Sequence, residues 1–290
     1  MTYPNLNRPT KHVYWLPPSE PDRPSLVAVV GSRRTLMLDV GASPAHARRF
    51  LNFLEAAGVR SPDVAILTHW HWDHVFGMAE VDAPMIAHTK TAAHLSQLVS
   101  YDWSDEALDA RVTSGSEIEP CARDIKLELP APRKVMLHSP DIIFSEKLEL
   151  PLGETVCRVL HVGGDHADDS CVIHVLPDRL VFLGDCLYEA IYAPARHYTT
   201  GKLFPLLDII LALDADLYIE GHNDTVINRD ELLAIAHKMR FAGELVMRLG
   251  LDAAAVFRAA AREAEEPLDD DTEYFLRMFR AGLELDHKEI

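Results

Sequence analysis

The chain has 290 residues, 48% hydrophobic and 25% charged, the make-up of a folded protein with a sizeable core. Its formal charge of −17 argues against a general affinity for nucleic acid or an anionic membrane. No apolar run is long enough to span a bilayer, and the first ten residues lack the apolar core of a secretory signal. Cys121, Cys157, Cys171 and Cys186 are scattered without a CxxC, so a cytoplasmic protein with reduced thiols is expected.

Residues 1–25 are rich in proline and polar residues, and Val13-Tyr14-Trp15-Leu16 reads as an edge strand or an arm across the body. Leu26–Val30 and Thr35–Leu38 flank Gly31-Ser32-Arg33-Arg34, which predicts a hairpin ending at Asp39. Ser43-Pro44 opens a helix, with Ser as the cap and Pro in the first turn. Ala47, Phe50, Leu51, Leu54 and Ala57 form its apolar face, and Gly58 stops it. Strands follow at 64–67 and 85–87, then a helix at 91–99. Residues 100–150 read as the least regular part, because Pro120, Pro130, Pro132 and Pro140 break long elements; two small strands near 141–144 and 147–150 are expected there. Strands are predicted at 155–162, 170–176 and 180–183, the last two joined by a turn at Pro177-Asp178-Arg179. A helix at 203–213 precedes the strand Leu217–Glu220, which ends at Gly221-His222. From Arg229 onward the pattern is helical only, with Leu232, Ile235, Ala236, Met239, Ala242 and Val246 on one face and two further helices at 253–262 and 272–285. This alternation predicts sheets covered by helices on the outside.

One stretch carries chemistry. Thr68-His69-Trp70-His71-Trp72-Asp73-His74 places three imidazoles and a carboxylate within six residues, directly after a buried strand. If the backbone stays extended past Leu67, His69 and His71 point the same way, and Asp73 and His74 fall at a turn where a helix begins. These are nitrogen and oxygen donors suited to a cation such as Zn²⁺. Four further marks sit at predicted strand ends: Asp39-Val40-Gly41, Gly163-Gly164-Asp165-His166, Leu183-Gly184-Asp185 and Gly221-His222.

In this order the five marks resemble the HxHxDH pattern of the metallo-β-lactamase superfamily, over roughly residues 26–226. The resemblance implies an αββα sandwich of the metallo-β-lactamase type with a helical C-terminal extension, residues 1–228 forming the catalytic domain and 229–290 the extension. It implies one metal on His69, His71 and His166, a second on Asp73, His74 and His222, and Asp185 between them. Two Zn²⁺ per chain are expected, iron or manganese being the alternatives. Asp39 would orient the metal loop rather than bind. The implied reaction is attack by a metal-bridging hydroxide on a small-molecule ester, lactone, thioester or amide. Asp73 and Tyr188 are the candidate catalytic residues.

Neighbouring residues sharpen these expectations. Cysteine-bearing β-lactamases place a thiolate where Cys186 stands, but adjacent strand-end residues face opposite ways, so Asp185 is preferred. Those enzymes also carry a Lys soon after; here Leu187, Tyr188, Glu189 and Ala190 follow, which argues against a β-lactamase. Tyr188 stands at a spacing similar to that of a substrate-touching Tyr in acyl-homoserine lactonases, and its phenol would donate to an oxyanion. Tyr192, His197, Tyr198 and Lys202 are further candidates for substrate contact. His161 is an alternative ligand, while His88, His94, His138 and His174 read as ordinary histidines. In this superfamily an insertion such as 100–150 often overhangs the metal pocket, the alternative being a solvated elaboration; the C-terminal helices, which also occur in glyoxalase II, read as a structural cap or as a substrate lid or homodimer surface. The rival function is that of the persulfide dioxygenases, which use one iron held by two His and an Asp.

Overall fold

The computed structural model describes residues 6–264 and 267–287. The first residues of the proline-rich arm, 1–5, the acidic pair 265–266 between the last two helices, and 288–290 lie outside the described residues. β1 (Val13–Leu16) pairs antiparallel with β2 (Leu26–Val30), which turns back onto β3 (Thr35–Leu38). α1 (Pro44–Ala56) follows; the Ser43 side chain accepts from the His46 backbone N–H, and Gly58, at φ 73, accommodates the left-handed turn beyond its end. β4 (Val64–Ile66) lies parallel to β3 and leads to the one-turn α2 (Trp72–Val75). β5 (Met85–His88) adds parallel to β4 and is followed by α3 (Thr89–Leu98), α4 (Asp105–Ser114) and α5 (Glu119–Glu128). β6 (Ile142–Phe144) closes the first sheet, whose order is β1-β2-β3-β4-β5-β6.

β7 (Lys147–Pro151), β8 (Val156–His161), β9 (Cys171–Leu176) and β10 (Leu180–Gly184) form an antiparallel run. α6 (Thr200–Leu211) crosses over to β11 (Leu217–Glu220), parallel to β10, and β12 (Ile227–Asn228) caps the sheet in the order β12-β11-β10-β9-β8-β7. α7 (Arg229–Leu249), α8 (Ala253–Glu263) and α9 (Asp270–Asp286) complete the chain. No helix among the described residues is long and apolar enough to cross a membrane.

Strand alternation sorts the core into layers. Val27, Val29, Leu36 and Leu38 point inward to meet Val159, Ile173, Phe182 and Ile219 of the second sheet. Their neighbours Leu26, Ala28 and Met37 point outward to Phe50 and Leu54 of α1. Strands buried on both faces explain why these segments read as continuous apolar runs. The outer face of the second sheet packs Val172, Val181 and Tyr218 against α6 and the C-terminal helices, so those helices share its core.

Residues 100–150 correct the expectation of irregularity. Two helices stand there, because Pro120 lies in the first turn of α5, where a missing N–H costs nothing, and Ser104 caps α4. The two small strands are present but belong to different sheets, β6 at the edge of one and β7 at the edge of the other.

α9 is pressed onto the loop that leaves β10. A Cβ on Gly282 would lie 2.2 Å from the Tyr198 carbonyl oxygen, and that backbone has no rotamer to move. Gly282→Ala should therefore lower stability by roughly 1–3 kcal/mol, although the same change in a free helix stabilises. Thermal or denaturant unfolding checks this; an unchanged or raised melting temperature would show that α9 is not held against the loop.

Candidate metal centre

The sheet edges where β3, β4, β10 and β11 end deliver the marked residues to one place. His69 and His71 follow β4 beyond a bend at Thr68, and Asp73 and His74 ride on α2. His166 comes from the β8–β9 loop, where Gly163 (φ 62) and Gly164 (φ 134) hold the chain in a turn closed to most side chains. Asp185 and His222 follow the ends of β10 and β11. The ligand atoms of His69, His71 and His166 lie within 4.8 Å of one another, and so do those of Asp73, His74, Asp185 and His222. His222 Nε2 is 3.1 Å from Asp73 Oδ2 and 3.2 Å from Asp185 Oδ2. Asp185 Oδ2 is also 3.4 Å from His74 Nε2 and 3.5 Å from His166 Nε2, so it stands between the two groups.

What the atoms lack is as informative as where they are. Nε2 of His69, His71, His74 and His166 and Oδ1 of Asp185 are buried and make no well-formed hydrogen bond, although Asp73 Oδ2 lies 3.2 Å from His74 Nε2. Such groups are costly unless something satisfies them. The other ring nitrogen is occupied in three of these histidines. His69 Nδ1 lies 3.0 Å from Thr68 Oγ1, His74 Nδ1 2.8 Å from Asp39 Oδ2, and His166 Nδ1 3.1 Å from the Glu189 carbonyl. A carboxylate or carbonyl accepting from Nδ1–H leaves the Nε2 lone pair facing inward, as a ligand requires. Asp39 sits in a left-handed turn (φ 57) and also accepts the Thr68 backbone N–H at 2.7 Å. Burial drives His69, His71 and His166 down, so they are neutral donors. Burial would raise Asp73 and Asp185, but the imidazoles of His74 and His222 more than offset it and hold both carboxyls low and ionised. These are two adjacent groups of nitrogen and oxygen donors, each able to hold a metal ion.

A family model described as the metallo-beta-lactamase superfamily matches residues 21–222. The chain belongs to the metallo-β-lactamase superfamily. Within the superfamily it is similar to acyl-coenzyme A thioesterase MBLAC2 of Gallus gallus, 27% identical over 176 residues, covering 58% of this chain and 59% of that protein. The Homo sapiens MBLAC2 is 24% identical over 179 residues, covering 58% and 60%. The chain thus spans about three fifths of the curated relatives it matches. Among solved structures, the sec-alkylsulfatase Pisa1 from Pseudomonas sp. superposes with a TM-score of 0.66 at 13% identity, over 96% of this chain and 50% of that one, which shows the shared fold. The αββα architecture and the C-terminal helices are as the sequence led one to expect.

The remaining candidate residues fall on both sides of expectation. Cys186 is buried in the apolar core beside Leu183 and Leu206, and burial pushes its thiol well up, so it offers no thiolate. His161 stacks on His88 at 3.9 Å and faces the Asp168 carbonyl, outside the metal-ligand groups. His94 stacks on Trp70, and with Asp168 and Asp169 makes a third close group, where Lys90 Nζ, 3.0 Å from Asp168 Oδ2, supplies a positive charge. Tyr188 lines the cavity over the site, and its hydroxyl accepts the His222 backbone N–H at 3.2 Å. Tyr192 packs against His71 at 5.1 Å and donates to Glu117 at 2.9 Å. His197, Tyr198 and Lys202 do not line that cavity; Tyr198 turns away to pack on Phe275 and Phe279, with its hydroxyl on the Leu187 carbonyl. The cavity, of about 390 Å³, has an apolar wall of Trp72, Ile118, Pro120, Cys121 and Ile191. α5 supplies part of that wall, which the sequence hid behind its prolines.

Gly221 leaves no room for a side chain, since a Cβ there would lie 1.8 Å from Asp185 Oδ1. Gly221→Ala should fold but displace Asp185, with loss of bound metal on elemental analysis. Cys186→Ser should retain its metal. The opposite pair of results would reverse the assignment.

Proposed function

We propose that the chain is a dizinc hydrolase that cleaves an acyl thioester or ester. The observation that carries this is the convergence of five buried nitrogen and oxygen atoms that make no well-formed hydrogen bond. His69, His71 and His166 would hold one ion, Asp73, His74 and His222 the other, and Asp185 would contact both. Such ions polarise a substrate carbonyl and bring the pKa of bound water towards neutrality. A single iron on two histidines and an aspartate would leave the other buried donors unsatisfied, so the dioxygenase reading is disfavoured.

The chain's own residues supply the rest. Trp72, Ile118, Pro120 and Ile191 would cover an acyl chain and exclude water from the reacting carbonyl. Burial pushes the Tyr188 phenol well up, so it stays protonated. Its oxygen accepts from the His222 N–H, which leaves its own proton free to be donated to the carbonyl oxygen as negative charge develops there. The likeness to proteins named acyl-coenzyme A thioesterases favours a thioester over a lactone or amide.

The test is turnover by zinc-loaded protein of acyl-coenzyme A, simple acyl thioesters, esters, lactones and β-lactams. Thioester or ester cleavage that a chelator abolishes and Zn²⁺ restores is expected; oxygen uptake with iron and no hydrolysis would overturn the reading. On the preferred substrate Tyr188→Phe should lower kcat about 10-fold with KM unchanged. Wild-type kinetics with full metal content would remove Tyr188 from the mechanism.

A further inference from the structure

The loop joining β1 to β2 carried no motif, yet it reaches the metal centre. Ser19 and Arg23 exchange two backbone hydrogen bonds, of 3.0 and 2.8 Å, and so close a tight turn with Asp22 near its tip. Asp22 has a left-handed backbone (φ 59), a conformation that non-glycine residues seldom adopt and that here aims the side chain at the site. The turn is tied down on both sides. Arg23 Nε donates to Glu128 Oε2 at 2.8 Å, and the same carboxylate accepts from the Ser43 hydroxyl. Ser25 N–H donates to the Gly221 carbonyl at 2.6 Å, and the Ser25 hydroxyl accepts from Trp15 Nε1 at 3.0 Å. The anchor therefore falls on the residue directly before His222.

Asp22 Oδ1 lies 3.5 Å from His222 Nδ1, while Nε2 of the same ring faces Asp73 and Asp185. His69, His74 and His166 each have an oxygen at Nδ1, supplied by Thr68, Asp39 and Glu189. We propose that Asp22 does this for His222: it is a positioning residue whose carboxylate takes the Nδ1–H of His222 and fixes the ring with Nε2 towards the second ion. The inference rests on the two-metal reading. A carboxylate behind a ligand imidazole sets its tautomer and raises its basicity, and removing such a partner typically weakens metal binding about 10–100-fold.

The experiment titrates Zn²⁺ into wild type, Asp22→Ala, Asp22→Asn and Asp22→Glu against a chelating dye, with Co²⁺ absorption spectra of each and thermal unfolding as the check on folding. In Asp22→Ala one ion should bind about 10–100-fold more weakly and the other as in wild type. Asp22→Asn, which accepts without a charge, should fall between, and Asp22→Glu should recover part of the loss. Both ions binding as in wild type would overturn the proposal, whether the melting temperature falls, as for a loop that only braces the fold, or KM alone rises, as for a residue that only meets substrate. A wild type that takes two ions with an unchanged alanine variant sinks this inference alone; a wild type that takes one ion sinks the two-metal reading and this inference with it.

Discussion

Everything in this structure bears on one electrostatic demand: seven donors, six buried and His222 half-buried, two of them carboxylates held ionised, converge on a space where five of their atoms make no well-formed hydrogen bond. Left unmet, the desolvation of those atoms would be of the same order as the net stability of a folded domain. Bound cations would satisfy such a cluster. The rest of the fold holds the donors in place.

The support is arranged in rings around the site. Closest in, Asp39, Thr68 and the Glu189 carbonyl hold three imidazoles by their far nitrogens. Behind them, glycine positions allow approaches that a side chain would forbid: Gly77 against the Val40 carbonyl, where a Cβ would sit at 1.9 Å, and Gly221 against Asp185. Further out, α9 presses on the loop that carries Tyr188 and Glu189, and Arg23 ties the β1–β2 loop to Glu128 at the end of α5. Function is thereby coupled to parts of the chain that touch no substrate. The apolar wall from α5 and the Tyr188 hydroxyl line the cavity over the donors.

How much of this was legible in the sequence depends on the range of the signal. The His69–His74 run, and the Asp185 and His222 marks, could be found because a strand end followed by a donor is a local pattern. That Asp185 joins the donor group while Cys186 turns into the apolar core follows the same local rule, since neighbours on a strand face opposite ways. α4 and α5 were not, because a proline such as Pro120 breaks a helix in mid-course but opens one in its first turn, and the sequence alone does not say which. Asp22 was invisible: it lies in a proline-rich loop of no periodicity, and only tertiary structure brings it beside His222. Tyr198 shares a loop with Tyr188 but not its direction, since it goes into the core of the C-terminal helices, and Lys202 lies on α6, away from the cavity.

The proposed hydrolase stands on two separate ions, one in each donor group, with Asp185 between them. Anomalous diffraction from crystals of zinc-loaded protein, recorded on both sides of the zinc edge, should show two peaks, one among Nε2 of His69, His71 and His166 and one among Asp73, His74 and His222, each in contact with Asp185. A single peak, or a second one away from Asp185, would be incompatible with a two-ion site.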